Sequence, residues 1–428
     1  MNLRRVFFVV GLFVCLGVQA AEPIRVLIVD GRNNHNWIVT TDALRATLQA
    51  TGRFQVTVST VPESLTVDGP REPRSENPAI QARFQKAKTL YTRLVAPARK
   101  REAEAWQQWR PDFAAHDCVI LNYNGPMWPE SVQQAFVKYV HGGGGVLLIH
   151  GANNAFPNWD AFNDIIGMGW RKAPFGQAIK VDANTGKPFA DPQAGNSSHG
   201  SKHAFAVTVR APEHPVMRDV PPVWLHARDE LYHHMRGPAK NLTVLSSAFS
   251  DPKQRGTGQH EPITWEVAYG QGRTIVTSMG HFYKGDSIWD ALYCVGFQTI
   301  VARSCEYLAT DKVTLPIPEG FPGLDEPSLS PPHQVSWTQP EPDTLAKARA
   351  EANRKKAANP YCVLTPEEEL ATFDLAPGFV AELVAAEPQI EEPVLTVWDA
   401  NGALYIAEMR SYMQDENGNG TKTLRNGR

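Results

Sequence analysis

Apolar residues in this chain come in short continuous runs separated by stretches of amphipathic spacing. Residues 24–30 form one such run, 40–50 carry the spacing of a helix, 54–60 alternate as a strand, and 118–123 are again a buried-strand run. Residues 129–141 then place Val132, Phe136, Val137 and Val140 on one helical face, and 146–149 follow as a strand. This alternation predicts an α/β fold, a parallel sheet flanked by helices and joined by right-handed crossovers. It sets the turns after Asp30, Tyr123 and Ile149 at the carboxyl edge of the sheet, where open α/β sheets bind ligands. Shorter strands over 205–210, 242–246 and 272–278 and a long amphipathic helix over 287–308 complete the expected domain, 22–312.

Two stretches break the rhythm. Residues 62–111 begin as a Pro/Arg/Glu-rich loop and continue as a helical stretch from about 80 to 109, which reads as an insertion. From 313 to 360 prolines and an Ala/Lys/Arg tract replace any sustained apolar period, the composition of an exposed linker. Beyond it, 361–428 hold short strand patterns with an Asn401-Gly402 turn. So few strands make no independently stable sheet, and the tail reads as the opening of a larger, incomplete β region.

At the other end, Arg4 and Arg5 precede an apolar run over 6–18 and small residues at Ala20 and Ala21. These are the parts of a signal peptide covering 1–20, which implies export to the periplasm or beyond. The run is shorter than the ~20 residues a membrane span needs, so no stable membrane insertion is expected.

Charge and cysteine content narrow the classes. A formal net charge of -3 offers no phosphate-binding footprint, and the basic run 93–101 is interleaved with helix formers, so nucleic acid is not an expected partner. Of the five cysteines, Cys15 falls in the signal and Cys118, Cys294, Cys305 and Cys362 remain. Cys294 and Cys305 share one helical pattern, roughly 16 Å apart at 1.5 Å per residue, too far to bridge. Buried thiols are expected.

The chemistry gathers where strands end. The run 142–154, Gly-Gly-Gly-Gly-Val-Leu-Leu-Ile-His-Gly-Ala-Asn-Asn, delivers His150 into a glycine-flanked turn. Around the same rim come Asn33, Asn34, His35 and Asn36, then Asn122 and Asn124, then Asn153 and Asn154, and later Asp229, Glu230, Tyr232, Glu261, Trp265 and His281. Any one of these is ordinarily a cap or turn former. Their shared edge is what points to a site. Three chemistries suit it: an imidazole paired with a carboxylate as acid and base, a mononuclear metal centre of two histidines and a carboxylate, or a sugar pocket with an indole for stacking. Spacing favours the metal least, because no His-x-x-x-His or Cys-x-x-Cys pair falls on a predicted helix; His199 and His203 are four apart but read as loop. The catalytic candidates are His150, Glu230, Asp229 and His281, and the substrate-binding candidates are His35, Asn36, Asn124, Asn153, Tyr232, Glu261 and Trp265. No cofactor is required, and a divalent metal is only admitted by the histidine count. The EF-hand-like start at Asp415 lacks its twelfth-position Glu, with Asn426 there instead. Gly142 to Gly145 precede a strand and carry no phosphate-loop spacing.

Taken together, Leu27-Ile-Val-Asp-Gly with His35-Asn36, Val146-Leu-Leu-Ile-His-Gly-Ala, Glu213-His-Pro-Val-Met, Asp229-Glu-Leu-Tyr, Glu261-Pro-Ile-Thr-Trp, Gly270-Gln-Gly-Arg-Thr and Ser278-Met-Gly-His281 resemble the trehalose-utilisation (ThuA-like) family over residues 24–309. The resemblance implies a flavodoxin-like, class I glutamine amidotransferase-like fold in which His150 stands where amidotransferases carry a nucleophilic cysteine, so amidotransferase chemistry is lost. It further implies carbohydrate as the small-molecule partner, in particular trehalose-like disaccharides as 3-keto sugars, and a sugar hydrolase, lyase or isomerase as the activity. A non-catalytic carbohydrate-binding module is the alternative. The tail is similar to the first blade of propellers in membrane-bound or sugar dehydrogenases, which implies a dehydrogenase or haem-protein partner; the chain itself has no Cys-x-x-Cys-His haem signature.

Overall fold

The computed structural model describes residues 22–63, 69–337, 383–386, 393–398 and 404–408. The signal-like segment, Cys362 and the Asp415 run lie outside them. The first half contributes strands β1 (Ile24–Asp30), β2 (Phe54–Thr60), β3 (Cys118–Leu121) and β4 (Gly145–Ile149) and helices α1 (Trp37–Ala50), α2 (Pro78–Leu94), α3 (Ala96–Gln108), α4 (Glu130–His141) and α5 (Asp160–Ile166). The second adds β5 (Gln177–Val181), β6 (Pro188–Asp191), β7 (Ser198–His199), β8 (His203–Val209), β9 (Val223–Asp229), β10 (Tyr232–His233), β11 (Arg236–Gly237), β12 (Leu242–Phe249), β13 (His260–Tyr269), β14 (Gly272–Thr277), α6 (Asp290–Tyr293) and α7 (Val295–Thr310).

The sheet runs β2-β1-β3-β4-β14-β13-β12-β8-β9. Its first five strands are parallel, as the alternation predicts, and the remainder is an antiparallel extension. Strand alternation divides the core: Val26, Ile28, Ile120 and Leu147 pack with α1 and α7, whereas Leu27, Val29, Val119 and Leu148 pack with α4 and α5. Both faces of the parallel part are therefore covered, which is why these strands are continuously apolar.

Three expectations are corrected. The helix expected over 287–308 is broken at Cys294, whose extended backbone (ψ 115°) ends α6 and starts α7, and the Val295 N–H is donated to the Ser328 carbonyl instead. The insertion is two helices rather than one, α2 and α3, neither with a buried residue. The linker expected from 313 is, up to 337, part of the domain: Leu315, Val335 and Trp337 are buried in the α1/α7 core. Its carbonyls lack a periodic partner but are held individually, Leu315 by Arg303 and Ser330 by Gln298, and Glu306 accepts the N–H groups of Thr314 and Leu315. Proline-rich composition concealed this side-chain anchoring. Cys118, Cys294 and Cys305 are buried free thiols, as expected. Among the described residues no helix is long and apolar enough to cross a membrane. The second unit, by itself, shows an antiparallel hairpin of β15 (Pro393–Trp398) and β16 (Leu404–Glu408).

Candidate metal centre

Four chain segments that leave strand ends converge on one point. His150 is the first residue after β4 and has φ +42°, a left-handed conformation that is costly for a residue with a Cβ and is held by its surroundings. Its Nδ1 donates to the Ser278 carbonyl (2.6 Å), just beyond β14, which turns Nε2 inward. His35 follows β1, and its Nδ1 donates to Asn33 Oδ1 (3.2 Å). Gly151 makes room for it: a Cβ there would lie 2.5 Å from His35 Nδ1. His281 follows β14, with Nδ1 3.5 Å from Asp286 Oδ2. His35 and His150 are thus steadied through Nδ1 by a hydrogen bond to an outer oxygen, the arrangement that orients histidine ligands toward a metal, and His281 Nδ1 faces the Asp286 carboxylate.

Glu230, after β9, completes the set. Its Oε2 lies 3.6 Å from His150 Nε2 and its Oε1 3.1 Å from His281 Nε2. His281 Nε2 is buried and out of hydrogen-bond alignment, so its lone pair and the carboxylate point into the same space. One donor atom from each of His35, His150, Glu230 and His281 lies within 4.8 Å of the others, and all four residues are buried. Bonds of 2.0–2.2 Å in a tetrahedron separate donors by roughly 3.4 Å, so a small inward closure suffices. Three imidazoles and one carboxylate suit a divalent transition metal such as zinc.

The protonation states agree. Burial, reinforced by His150 and His281, pulls His35 down to about 2, so it is a neutral ligand. Burial pushes the Glu230 carboxyl up, but the closeness of His150 and His281 outweighs that and holds it well below the usual range, as a carboxylate.

A trehalose-utilisation (ThuA) family pattern matches residues 85–291. The structure of a ThuA-like protein from Parabacteroides merdae is 33% identical, covering 74% of this chain and 100% of that one with a TM-score of 0.61. The chain belongs to the ThuA-like family. A second ThuA-like structure, from Bacteroides uniformis, is 16% identical and covers 69% of this chain and 96% of its own, with a TM-score of 0.38. No curated protein matches. Residues 365–428 match a domain of unknown function, DUF7133, so the expected propeller is not shown.

Around the four donors this ThuA-like protein places four more groups. Tyr232 Oη is 2.9 Å from His150 Nε2; burial, with Glu230 and Asp229 nearby, raises its phenol well above the usual value, so it stays protonated. His199, read from sequence as loop, sits opposite Tyr232 on the β7–β10 pair. Its Nδ1 donates to the Gly200 carbonyl (2.7 Å), and its Nε2 lies 3.6 Å from Glu230 Oε1 with the side chain 35% exposed, at the mouth of the site. Only long-range strand pairing could have found it. Trp170 packs on Tyr232, ring centroids 4.8 Å apart, and half-exposed Tyr283 lies parallel to His281 at 6.3 Å.

Several expected site residues do other work. Asp229 does not face the cavity: Oδ2 accepts from His226 Nε2 (2.7 Å) and Gly280 N–H (2.8 Å), and Oδ1 from the N–H groups of Glu230 (2.6 Å) and His281 (3.2 Å). It is a positioning residue. Trp265 is fully buried in the α4/α5 core and donates to the Ile166 carbonyl, so it cannot stack on a sugar. Glu261 is buried in a pair with Lys180 and also accepts from Thr257. Asn36 caps α1 through Val39 N–H, and Asn124 donates to Asn34 Oδ1. Asn153 is fully buried, its carboxamide without a protein partner among the described residues, while its carbonyl accepts from Arg171. The period of a strand places a residue at the rim but does not say which way its side chain turns.

Proposed function

We propose that this protein is an exported, divalent-metal-dependent enzyme that processes a glycoside or 3-keto disaccharide, with His35, His150, His281 and Glu230 as ligands. The observation that carries the reading is the convergence of three imidazoles, two of them anchored through Nδ1, and one carboxylate. Family membership supports the carbohydrate. The signal-like N-terminus supports export.

A bound divalent cation would supply Lewis-acid polarisation of a keto or hydroxyl oxygen of the sugar. The protein's own groups supply the rest. His199 Nε2, unencumbered because Nδ1 carries the proton toward Gly200, stands at the mouth as the base for a proton beside the keto group. Tyr232, with His150 Nε2 taken as a ligand, has its phenolic proton available for a departing oxygen. Trp170 and Tyr283 offer ring surface to the sugar. This shifts His150 and Glu230 from acid/base work to ligation.

The test is metal analysis of the full chain, together with mass spectrometry of products from trehalose, glucosides and their 3-keto forms. Near-stoichiometric metal and a new product, both lost in His150→Ala, are expected. Sugar binding without product would make the protein a carbohydrate-binding module; absence of metal after loading would end the metal reading.

A further inference from the structure

Beside the metal centre lies a second cleft, of about 530 Å³, within the roughly 300–1,000 Å³ of small-molecule sites. It opens at the carboxyl ends of β1 and β2 and is lined by Arg32, Asn33, Trp37, Thr60, Glu63 and Lys284, among others. Two of its residues connect it to the centre. Asn33 accepts from His35 Nδ1, and Lys284 follows Tyr283, whose ring meets His35 edge-on and His281 in parallel.

Three features of the cleft favour an anion. Arg32 and Lys284 make no ion pair among the described residues. Trp37 begins α1, a 14-residue helix with no acidic side chain in its first turn, so none of the helix's own first residues offsets the positive end of its dipole. Glu63 is the one carboxylate among the lining residues, and the Asp30 carboxylate behind Thr60 is buried and taken up by the Thr41 and Thr60 hydroxyls. Trp37 adds apolar ring surface of the kind that packs on a pyranose.

We propose that this cleft is a subsite for an anionic sugar unit, so that the substrate carries a carboxylate or phosphate on the residue next to the one at the metal centre. Arg32 and Lys284 would hold the anion, Trp37 the ring, and Glu63 a hydroxyl. The inference rests on the metal-centre reading for what happens to the neighbouring unit, but not for the binding of the anion itself.

The test is calorimetry on the full chain with three probes, methyl glucuronide, glucose 1-phosphate and neutral methyl glucoside, on wild type and on the double variant Arg32→Gln/Lys284→Gln, with metal content measured on every sample. Wild type should bind at least one acidic probe about tenfold more tightly than the neutral one, the preference weakening with added salt. The double variant should lose most of that preference while holding metal as wild type does. Whichever acidic probe wins names the anion. Equal binding of all three probes by wild type, or a preference intact in the double variant, overturns the subsite. A protein that prefers the acidic probe but holds no metal supports the subsite and sinks the metal centre; one that holds metal without the preference does the reverse.

Discussion

Asp229 accepts the backbone N–H of His281 at 3.2 Å while also accepting that of Glu230 at 2.6 Å, so one buried carboxylate fixes two of the four proposed ligands. These lie after β9 and β14, strands that do not pair with each other. His226, raised to about 9 because Cys294 and Asp229 outweigh its burial, holds the other oxygen. Asp229→Asn keeps the shape but replaces one acceptor oxygen with a donor. It should weaken metal affinity by about 10–100-fold, the usual effect of losing an outer-layer partner. Competitive chelator titration reads this directly, with near-UV circular dichroism to confirm native packing. An unchanged affinity would make Asp229 a purely structural residue.

Removing the metal should matter to stability as well as turnover, because a ligand that binds only the native state stabilises it by an amount that grows with the logarithm of its concentration relative to its Kd. Dialysis against a chelator is expected to lower the thermal midpoint of wild type by several degrees, about the effect of 1–3 kcal/mol on a domain of this size. In His281→Ala the same dialysis should do little. A wild-type midpoint indifferent to both chelator and added zinc would count against the centre.

Much of this architecture was legible in the chain. The runs ending at Asp30 and Ile149 gave strands whose ends bear His35 and His150, and Glu230 and His281 were marked by their neighbours. The metal centre was not, because its ligands are separated by 115, 80 and 51 positions (35 to 150, 150 to 230, 230 to 281) and meet only through sheet order. Local spacing rules detect ligands on one helix, not on four strand ends. Trp265 and Glu261 failed for the opposite reason: they lie on a strand near the rim, but the strand's alternate faces are both core. His199 was hidden in a two-residue strand too short to leave a period.

Acid should destabilise the metal-free protein in a defined window. His35 has a folded pKa of about 2, below its unfolded value near 6.5. Below pH 6.5 the unfolded chain therefore takes up a proton that the native site refuses, and stability falls as pH drops from about 6.5 toward 2. Glu230 acts in the same sense, its depressed folded pKa giving a contribution that is complete above about 4.3 and lost below it. In chelator, urea midpoints should decline from pH 7 to pH 5, where His35 acts together with His233, His234 and His260, each also lowered by burial. His35→Gln should flatten that slope. The same slope in the variant would place the acid sensitivity elsewhere.

Gly151 is the residue whose smallest change should disturb the centre most. Its φ is not in the left-handed region, so the constraint is space alone: an added methyl would sit 2.5 Å from His35 Nδ1, 2.9 Å from His35 Cε1 and 3.0 Å from Asn33 Oδ1. The His35 ring cannot swing away without leaving Asn33, and the Asn33–His35 hydrogen bond is what aims Nε2. Gly151→Ala is therefore expected to cost about 1–3 kcal/mol through overpacking and to abolish high-affinity metal binding. Gly143, which has nothing within 4 Å of a built Cβ but a φ of +116°, serves as the comparison. Gly143→Ala should lose stability through backbone strain and keep its metal. Metal analysis and urea unfolding of the two variants separate the effects, and metal retained by Gly151→Ala would show that His35 is not a required ligand.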